Sequence, residues 1–354
     1  MPDFTPTAVS LFSGCGGLDL GFIEAGFKII WANDNEDIAC KTYEKYIGNH
    51  IVCGDINKID INSIPKADIL IGGPPCQDFS VIWKQPGLKG KRGQLLLSYL
   101  KVLDHVKPKA FVIENVKGLK SMQGGAILEF MLGELRERGY ERISAKVYNF
   151  ADYGVPQLRQ RLVIVGVRDD VPIDFIEPKP THIGKHVASS KALKGAEKVP
   201  FNNEHQNIMP KTRKLLSLIP EGGNFASVPK DHPLYVKGMI SHVYRRLHSD
   251  KPSTTIIAAG GGGTWGYHYE ENRPLTNRER ARLFTFPDDM EFLGTIAQAR
   301  KQIGNAVPPK GILPIAKNLY KLLYDCDQLC QSSQITTATA VSSKKYSKKN
   351  LVTV

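Results

Sequence analysis

The feature that most constrains this chain is an alternation of short β-rich runs with amphipathic segments through its first half. Residues 8–12 read as a strand ending in a glycine turn, and 18–25 as the helix after it. Residues 28–32 and 36–47 repeat the pair. Residues 67–71 form a buried run that enters Gly72-Gly73-Pro74-Pro75, and Leu96, Leu100 and Leu103 then fall at i, i+4 and i+7, one apolar face of a helix. A strand at 111–113, a helix at 126–138 and a strand at 162–167 close the series. Such alternation predicts an α/β fold with a parallel sheet and helices on both faces. Ligands then bind beyond the carboxyl ends of the strands.

After Arg168 the rhythm breaks. Residues 176–250 hold 12 Lys and Arg against 6 Asp and Glu, with six of the nine histidines. A chain of 354 residues is long for one domain. We expect a catalytic domain over 1–175 plus 290–326, a smaller irregular domain and hinge over 176–289, and a disordered basic tail over 327–354. Thr276 and Glu279 have capping-box spacing, with Pro287 after the helix they start, and 312–324 reads as a last amphipathic helix. The net charge of +12 suits a polyanionic partner, though a merely basic soluble protein carries the same excess. No apolar run reaches the ~18 residues of a membrane span, and the N-terminus lacks a secretory pattern. The six cysteines form no CxxC pair, which argues against structural zinc and a disulfide scaffold. His182 and His186 are separated by Gly184, a poor helical metal pair, so no metal is expected. These features describe a soluble, cytoplasmic protein.

Four stretches carry chemistry. Phe12-Ser13-Gly14-Cys15-Gly16-Gly17 joins a strand to a helix, where glycines let backbone approach a ligand and free N–H groups face it. Asp34 ends the next strand, where a carboxylate accepts ribose hydroxyls; Asp19 stands where a dinucleotide fingerprint needs glycine. A plain tight turn fits this stretch about as well. Cys76 follows two prolines at a strand end, a stiff place for a nucleophilic thiolate, although free cysteine is more often a buried hydrophobe. The segment after it carries Ser80, Lys84, Lys89, Lys91 and Arg92, either a cationic flap for phosphates or a solvated charge run. Glu114 and Asn115 end the 111–113 strand on the same rim, where a half-dry carboxyl suits proton donation. Gln157, Arg159 and Arg161 alternate onto one face, suited to a carbonyl or phosphate; an edge-strand charge ladder is the alternative.

Together with Gln302-Ile303-Gly304-Asn305-Ala306-Val307-Pro308, these motifs stand in the order and spacing of the DNA (cytosine-5) methyltransferases, which the chain resembles over residues 7–325. The resemblance implies a Rossmann-like class I methyltransferase sheet with a smaller target-recognition domain. It implies S-adenosylmethionine as cofactor and S-adenosylhomocysteine as product. Phe12, Gly14 and Gly17 line the methionine and adenosine, Asp34 holds the ribose, Asp55 the adenine amine, and Ile56 packs on the ring. Pro75, Leu95, Asn305 and Val307 complete that pocket, with Asn35 where many relatives carry a larger side chain. Cys76 adds to cytosine C6, Glu114 serves N3 and the exocyclic amine, and Arg161, with Arg159 behind it, holds the carbonyl edge or the flanking phosphate. The base is flipped out of duplex DNA. Ser80 and the basic segment close over it, and Tyr244-Arg245-Arg246 is the candidate for reading bases in the major groove.

The expected protein is thus a monomeric modification enzyme whose cognate restriction endonuclease is a functional, not a bound, partner. Competing readings are a tRNA cytosine-5 methyltransferase, a nicotinamide oxidoreductase, which leaves Cys76 and Glu114 idle, and a non-catalytic DNA-binding relative.

Overall fold

The structure, a computed structural model, describes residues 4–75, 94–238, 243–258 and 266–347, with backbone alone at 94 and 333–347. Its strands are β1 (Thr7–Leu11), β2 (Lys28–Asp34), β3 (Ile51–Cys53), β4 (Ile69–Gly72), β5 (Ala110–Val116), β6 (Arg142–Asn149) and β7 (Gln160–Val167). They form one seven-stranded sheet in the order β3-β2-β1-β4-β5-β7-β6. From β3 to β5 the neighbours are parallel; β7 runs antiparallel to both β5 and β6. The all-parallel expectation is therefore corrected at one edge. β6 and β7 form a hairpin-like pair tied by the short turn through Phe150–Tyr153, so no crossover helix separates them.

The helices are α1 (Gly17–Glu24), α2 (Asp37–Tyr46), α3 (Gln94–Val106), α4 (Ala126–Arg136), α5 (Ser189–Leu193), α6 (Pro210–Leu216), α7 (Asn277–Leu283), α8 (Ile296–Asn305) and α9 (Pro309–Ser347). One sheet face packs on α1, α2 and α9 through Phe22, Tyr43, Ile312 and Leu319. The other packs on α3 and α4, where Leu96, Leu100, Leu103 and Met131 are buried. Burying each such side chain stabilises the fold by about 1.5–3 kcal/mol. α9 continues to Ser347, so the segment expected to be disordered is helical over most of its length.

Beyond β7 a third apolar cluster gathers Leu247, Ile256, Phe284, Phe286 and Ile303, and a small fourth one gathers Leu215, Ile219, Phe225 and Val228. The expected capping box is present: Thr276 Oγ1 accepts from Glu279 N at 3.1 Å, and Glu279 Oε2 accepts from Thr276 N at 2.8 Å. Order reversal in the sheet falls between β1 and β4, which start with connections to opposite sides. The carboxyl ends of those strands are the turn at 12–17 and the Gly73–Pro75 segment, where a ligand cleft is expected.

Candidate active site

A cavity of about 720 Å³ opens at that switch point. One wall is the glycine turn. Phe12, Gly14 and Gly16 all adopt left-handed backbone, at φ 56°, 55° and 88°. For Phe12 this conformation is costly, and strain of this kind is retained where a turn must face a ligand. A Cβ on Gly14 would meet open space, so its backbone stands clear for a ligand, whereas a Cβ on Gly17 would lie 2.3 Å from Val307 O. Gly17 packs against the 302–307 motif and is not among the residues lining the cavity.

Asp34 is fixed on both oxygens: Gly14 N donates to Oδ2 at 2.8 Å and Glu36 N to Oδ1 at 2.9 Å. Burial raises its pKa above the usual carboxylate range against those hydrogen bonds. Asn33 Nδ2 donates to Val52 O and Gly54 O at 2.8 and 2.9 Å, which docks the β3 end and carries Asp55 and buried Ile56 into the cavity wall. Asp55 Oδ1 accepts from Asn57 N at 3.0 Å. Asn35, exposed, Pro75, Leu95, Asn305 and Val307 line the same cavity. Glu36, Gln298 and Lys301 line it too and escaped sequence reading; Lys301 pairs with Glu36 across the mouth. The signal was the nearness of Glu36 to Asp34, but nothing in the sequence brings α8 to that point.

The opposite wall holds the acid. Glu114 and Arg161 sit on one face of the β5–β7 ladder, Glu114 opposite Val163 and Arg161 two residues away. Arg161 Nε lies 2.9 Å from Glu114 Oε1, both side chains largely buried. Burial raises the Glu114 pKa and outweighs the pull of Arg161 and Arg159 in the other direction. Asn115 Nδ2 donates to Pro74 O at 2.7 Å, clamping the Gly73–Pro75 segment beside Glu114. Pro75 is the last described residue there. Cys76, Ser80, Lys84, Lys89, Lys91 and Arg92 lie outside the described residues. The described thiol nearest this chemistry, Cys15, is buried with its pKa pushed up to about 12, so it stays protonated.

Three expected roles change, those of Arg159, Gln157 and Arg246. Arg159 turns into the protein: it donates to Ile256 O at 3.1 Å and to Gly304 O and Ala306 O at 3.0 Å, under the Phe284 ring. One terminal nitrogen is engaged by Ile256 and the other by the 302–307 motif, so Arg159, just ahead of β7 in the cavity wall, braces the site and has neither terminal nitrogen free for a carbonyl edge. Gln157 does the same, accepting from Ile256 N at 3.1 Å. Arg246 is likewise buried and donates to His268 O, Leu216 O, Ile219 O, Glu271 O and Asn272 Oδ1. It staples the segments at 216–219 and 268–272 together and is not free to read bases. Tyr244, at φ 53°, stacks on Tyr267 with ring centres 5.9 Å apart, which leaves half-buried Arg245 between two structural neighbours.

Among the described residues no group of three or more His, Cys, Asp or Glu is placed to hold a metal, and no helix is long and apolar enough to cross a membrane. The switch-point cavity, the glycine turn and the oriented Asp34 carboxylate define an α/β protein of Rossmann-like architecture.

Comparison with known proteins narrows the class. Residues 7–321 match the family described as C-5 cytosine-specific DNA methylase. The type II methyltransferase M.NgoFVII of Neisseria gonorrhoeae is 54% identical over 329 residues, covering 90% of this chain and 88% of that protein. M.BbvI of Brevibacillus brevis is 41% identical, covering 88% and 90%. A solved structure of Spodoptera frugiperda DNMT2 superposes at a TM-score of 0.63 with 18% identity, over 90% of this chain and 100% of that one, a likeness of fold. The chain belongs to the C-5 cytosine-specific DNA methylase family and is a DNA (cytosine-5) methyltransferase.

Proposed function

We propose that the chain methylates C5 of a cytosine flipped out of duplex DNA, with S-adenosylmethionine as donor, as the modification enzyme of a restriction–modification system. The observation that carries this reading is the facing of two walls across one cavity. One is the glycine turn with Asp34; the other is the Glu114–Arg161 pair beside the segment that leads into Cys76.

The residues fit the cofactor. Both Asp34 oxygens are oriented by backbone N–H groups and keep lone pairs for ribose hydroxyls; Ile56 and Leu95 offer apolar surface, and Asp55 an acceptor for an exocyclic amine. S-Adenosylmethionine, when bound, supplies an electrophilic methyl group. The chain's part is to make C5 nucleophilic. Addition of the Cys76 thiolate to C6 breaks the C5–C6 double bond and sends its electrons toward C5 and N3. Glu114, its pKa raised by burial, donates a proton to N3 as that negative charge develops, while Arg161 orients the carboxyl and faces the carbonyl edge. Once C5 is methylated, loss of its proton to a base, expulsion of the Cys76 thiolate and return of the N3 proton to Glu114 restore the ring. Arg159 and Asn115 keep these groups in register without touching the base.

The test is transfer of labelled methyl from S-adenosylmethionine to genomic DNA and, separately, to total tRNA, with Cys76→Ala as control. We expect label in DNA alone, at one short sequence on bisulfite mapping. Label confined to tRNA would overturn the substrate, and no label in either would overturn the activity.

A further inference from the structure

A hydrogen-bonded chain runs beneath the glycine turn and ends on a carboxyl that the mechanism above leaves unused. Ser13 lines the cavity, and its Oγ lies 3.0 Å from Ser10 Oγ. Ser10 Oγ donates to Asp19 Oδ1 at 2.7 Å, and Tyr43 OH donates to Asp19 Oδ2 at 2.6 Å. Tyr43 OH also lies 3.0 Å from His50 Nε2. Ser10 is on β1, Asp19 in the first turn of α1, Tyr43 on α2, and His50 in the link to β3. Ser10, Asp19 and Tyr43 are fully shielded from water.

Asp19 is thus a carboxyl with neutral hydrogen-bond partners. The ionisable groups around it are Tyr43, with His50 beyond it, Cys15 in the turn, and Asp34 at the end of β2, whose negative charge adds to the cost of ionising it. An ionised carboxyl accepts hydrogen bonds only. Ser10 and Tyr43 must then both donate to it, and Ser10 Oγ is left to accept from Ser13. A protonated Asp19 donates along one arm, toward Ser10 or toward Tyr43, and reverses the hydrogen bond on that arm. The charge under the turn is little screened in so dry an interior.

We propose that Asp19 is a positioning residue whose buried charge, delivered through Ser10 and Ser13 to the glycine turn, favours the cationic sulfonium cofactor over its uncharged thioether product. This rests on the cofactor reading given above. Binding of a cation above the turn loosens Asp19's hold on its proton, and by reciprocity an ionised Asp19 strengthens that binding. Each unit by which binding shifts its pKa is a tenfold change in relative affinity.

The experiment is titration calorimetry of the full chain with S-adenosylmethionine and with S-adenosylhomocysteine, between about pH 5 and pH 8, in buffers of different ionisation enthalpy. Near pH 6 the wild type should release more proton on binding the sulfonium than the thioether. Its preference for the sulfonium should fall roughly threefold to tenfold on acidification. Asp19→Asn should abolish both effects with its thermal melt retained, and His50→Gln should keep them, which separates Asp19 from the titration of His50. Tyr43→Phe, which removes one donor, should move the acid limb to higher pH and serves if the amide variant does not fold. Equal proton release and an equal, pH-independent preference in wild type and Asp19→Asn would overturn the assignment. A wild type that binds neither compound at any pH would overturn the cofactor reading itself.

Discussion

Arg161 Nε lies 2.9 Å from Glu114 Oε1 across the antiparallel β5–β7 pair, in the wall of a cavity that also holds the glycine turn. The relationship depends on β7 reversing direction, which puts the residue just inside its start beside the end of β5. It sets up an acid whose pKa burial raises and whose orientation is fixed by a cation that pulls that pKa the other way.

The first prediction concerns that balance. Glu114→Gln should lower methyl transfer on the order of 10²–10⁴-fold, the usual worth of a positioned acid. In the wild type the rate should fall as the pH rises through the raised Glu114 pKa, because the protonated carboxyl is the donor. Arg161 pulls that pKa down, so Arg161→Gln should move the alkaline limb to higher pH as well as slow the reaction. Rate–pH profiles of the three proteins decide it; an unmoved limb would remove Arg161 from its orienting role.

Cys76 lies outside the described residues, yet its chemistry is testable. Duplex DNA with 5-fluorocytosine at the target cytosine should give an SDS-stable complex, because fluorine at C5 cannot leave as a proton does. Cys76→Ala should give none and should retain its fold and cofactor affinity. A covalent complex with the alanine variant would exclude Cys76 as nucleophile.

Asp19 should leave a signature in stability. Burial raises its pKa to about 6, so the native state holds a proton that the unfolded chain releases near about pH 4. Stability from this group is whole below that lower value and is lost as the pH climbs through 6. Two units correspond to about 3 kcal/mol. Urea unfolding of Asp19→Asn should show an advantage over wild type that grows by an amount of that order from about pH 4 to pH 7. Parallel curves would mean that Asp19 titrates normally.

The sequence was most legible where one local pattern dictates structure. The apolar faces of α3 and α4, the capping box at Thr276 and the glycine turn are all short-range signals, and each stands where expected. β3 was missed because three residues cannot show a period; for β6 the strand signal was present, since Ile143, Ala145 and Val147 alternate with Arg142, Ser144 and Lys146, and it went unread. The polarity of β7 was not legible: alternation fixes which faces are apolar, not which way a strand runs. Arginines were the hardest to place. Arg159, Arg161 and Arg246 look alike in sequence, and only the carbonyls gathered around the first and third show that these two are internal braces.

That distinction gives the last prediction. Arg246 makes hydrogen bonds to four carbonyls and one amide oxygen from the segments at 216–219 and 268–272, and removing it strands those acceptors without water. Arg246→Met should therefore cost about 3–5 kcal/mol of stability and lower the melting temperature. Below that temperature, the slope of log affinity for DNA against log salt should stay as in wild type, since a guanidinium held inside the domain neutralises no phosphate. Lys84, Lys89, Lys91 and Arg92 make the opposite case. Replacing two of them with glutamine should leave the melt unchanged and shallow the salt slope by about 1 for each phosphate no longer neutralised. If Arg246→Met instead flattens the salt slope with no change in melting, Arg246 binds a DNA phosphate and its buried network opens when DNA binds.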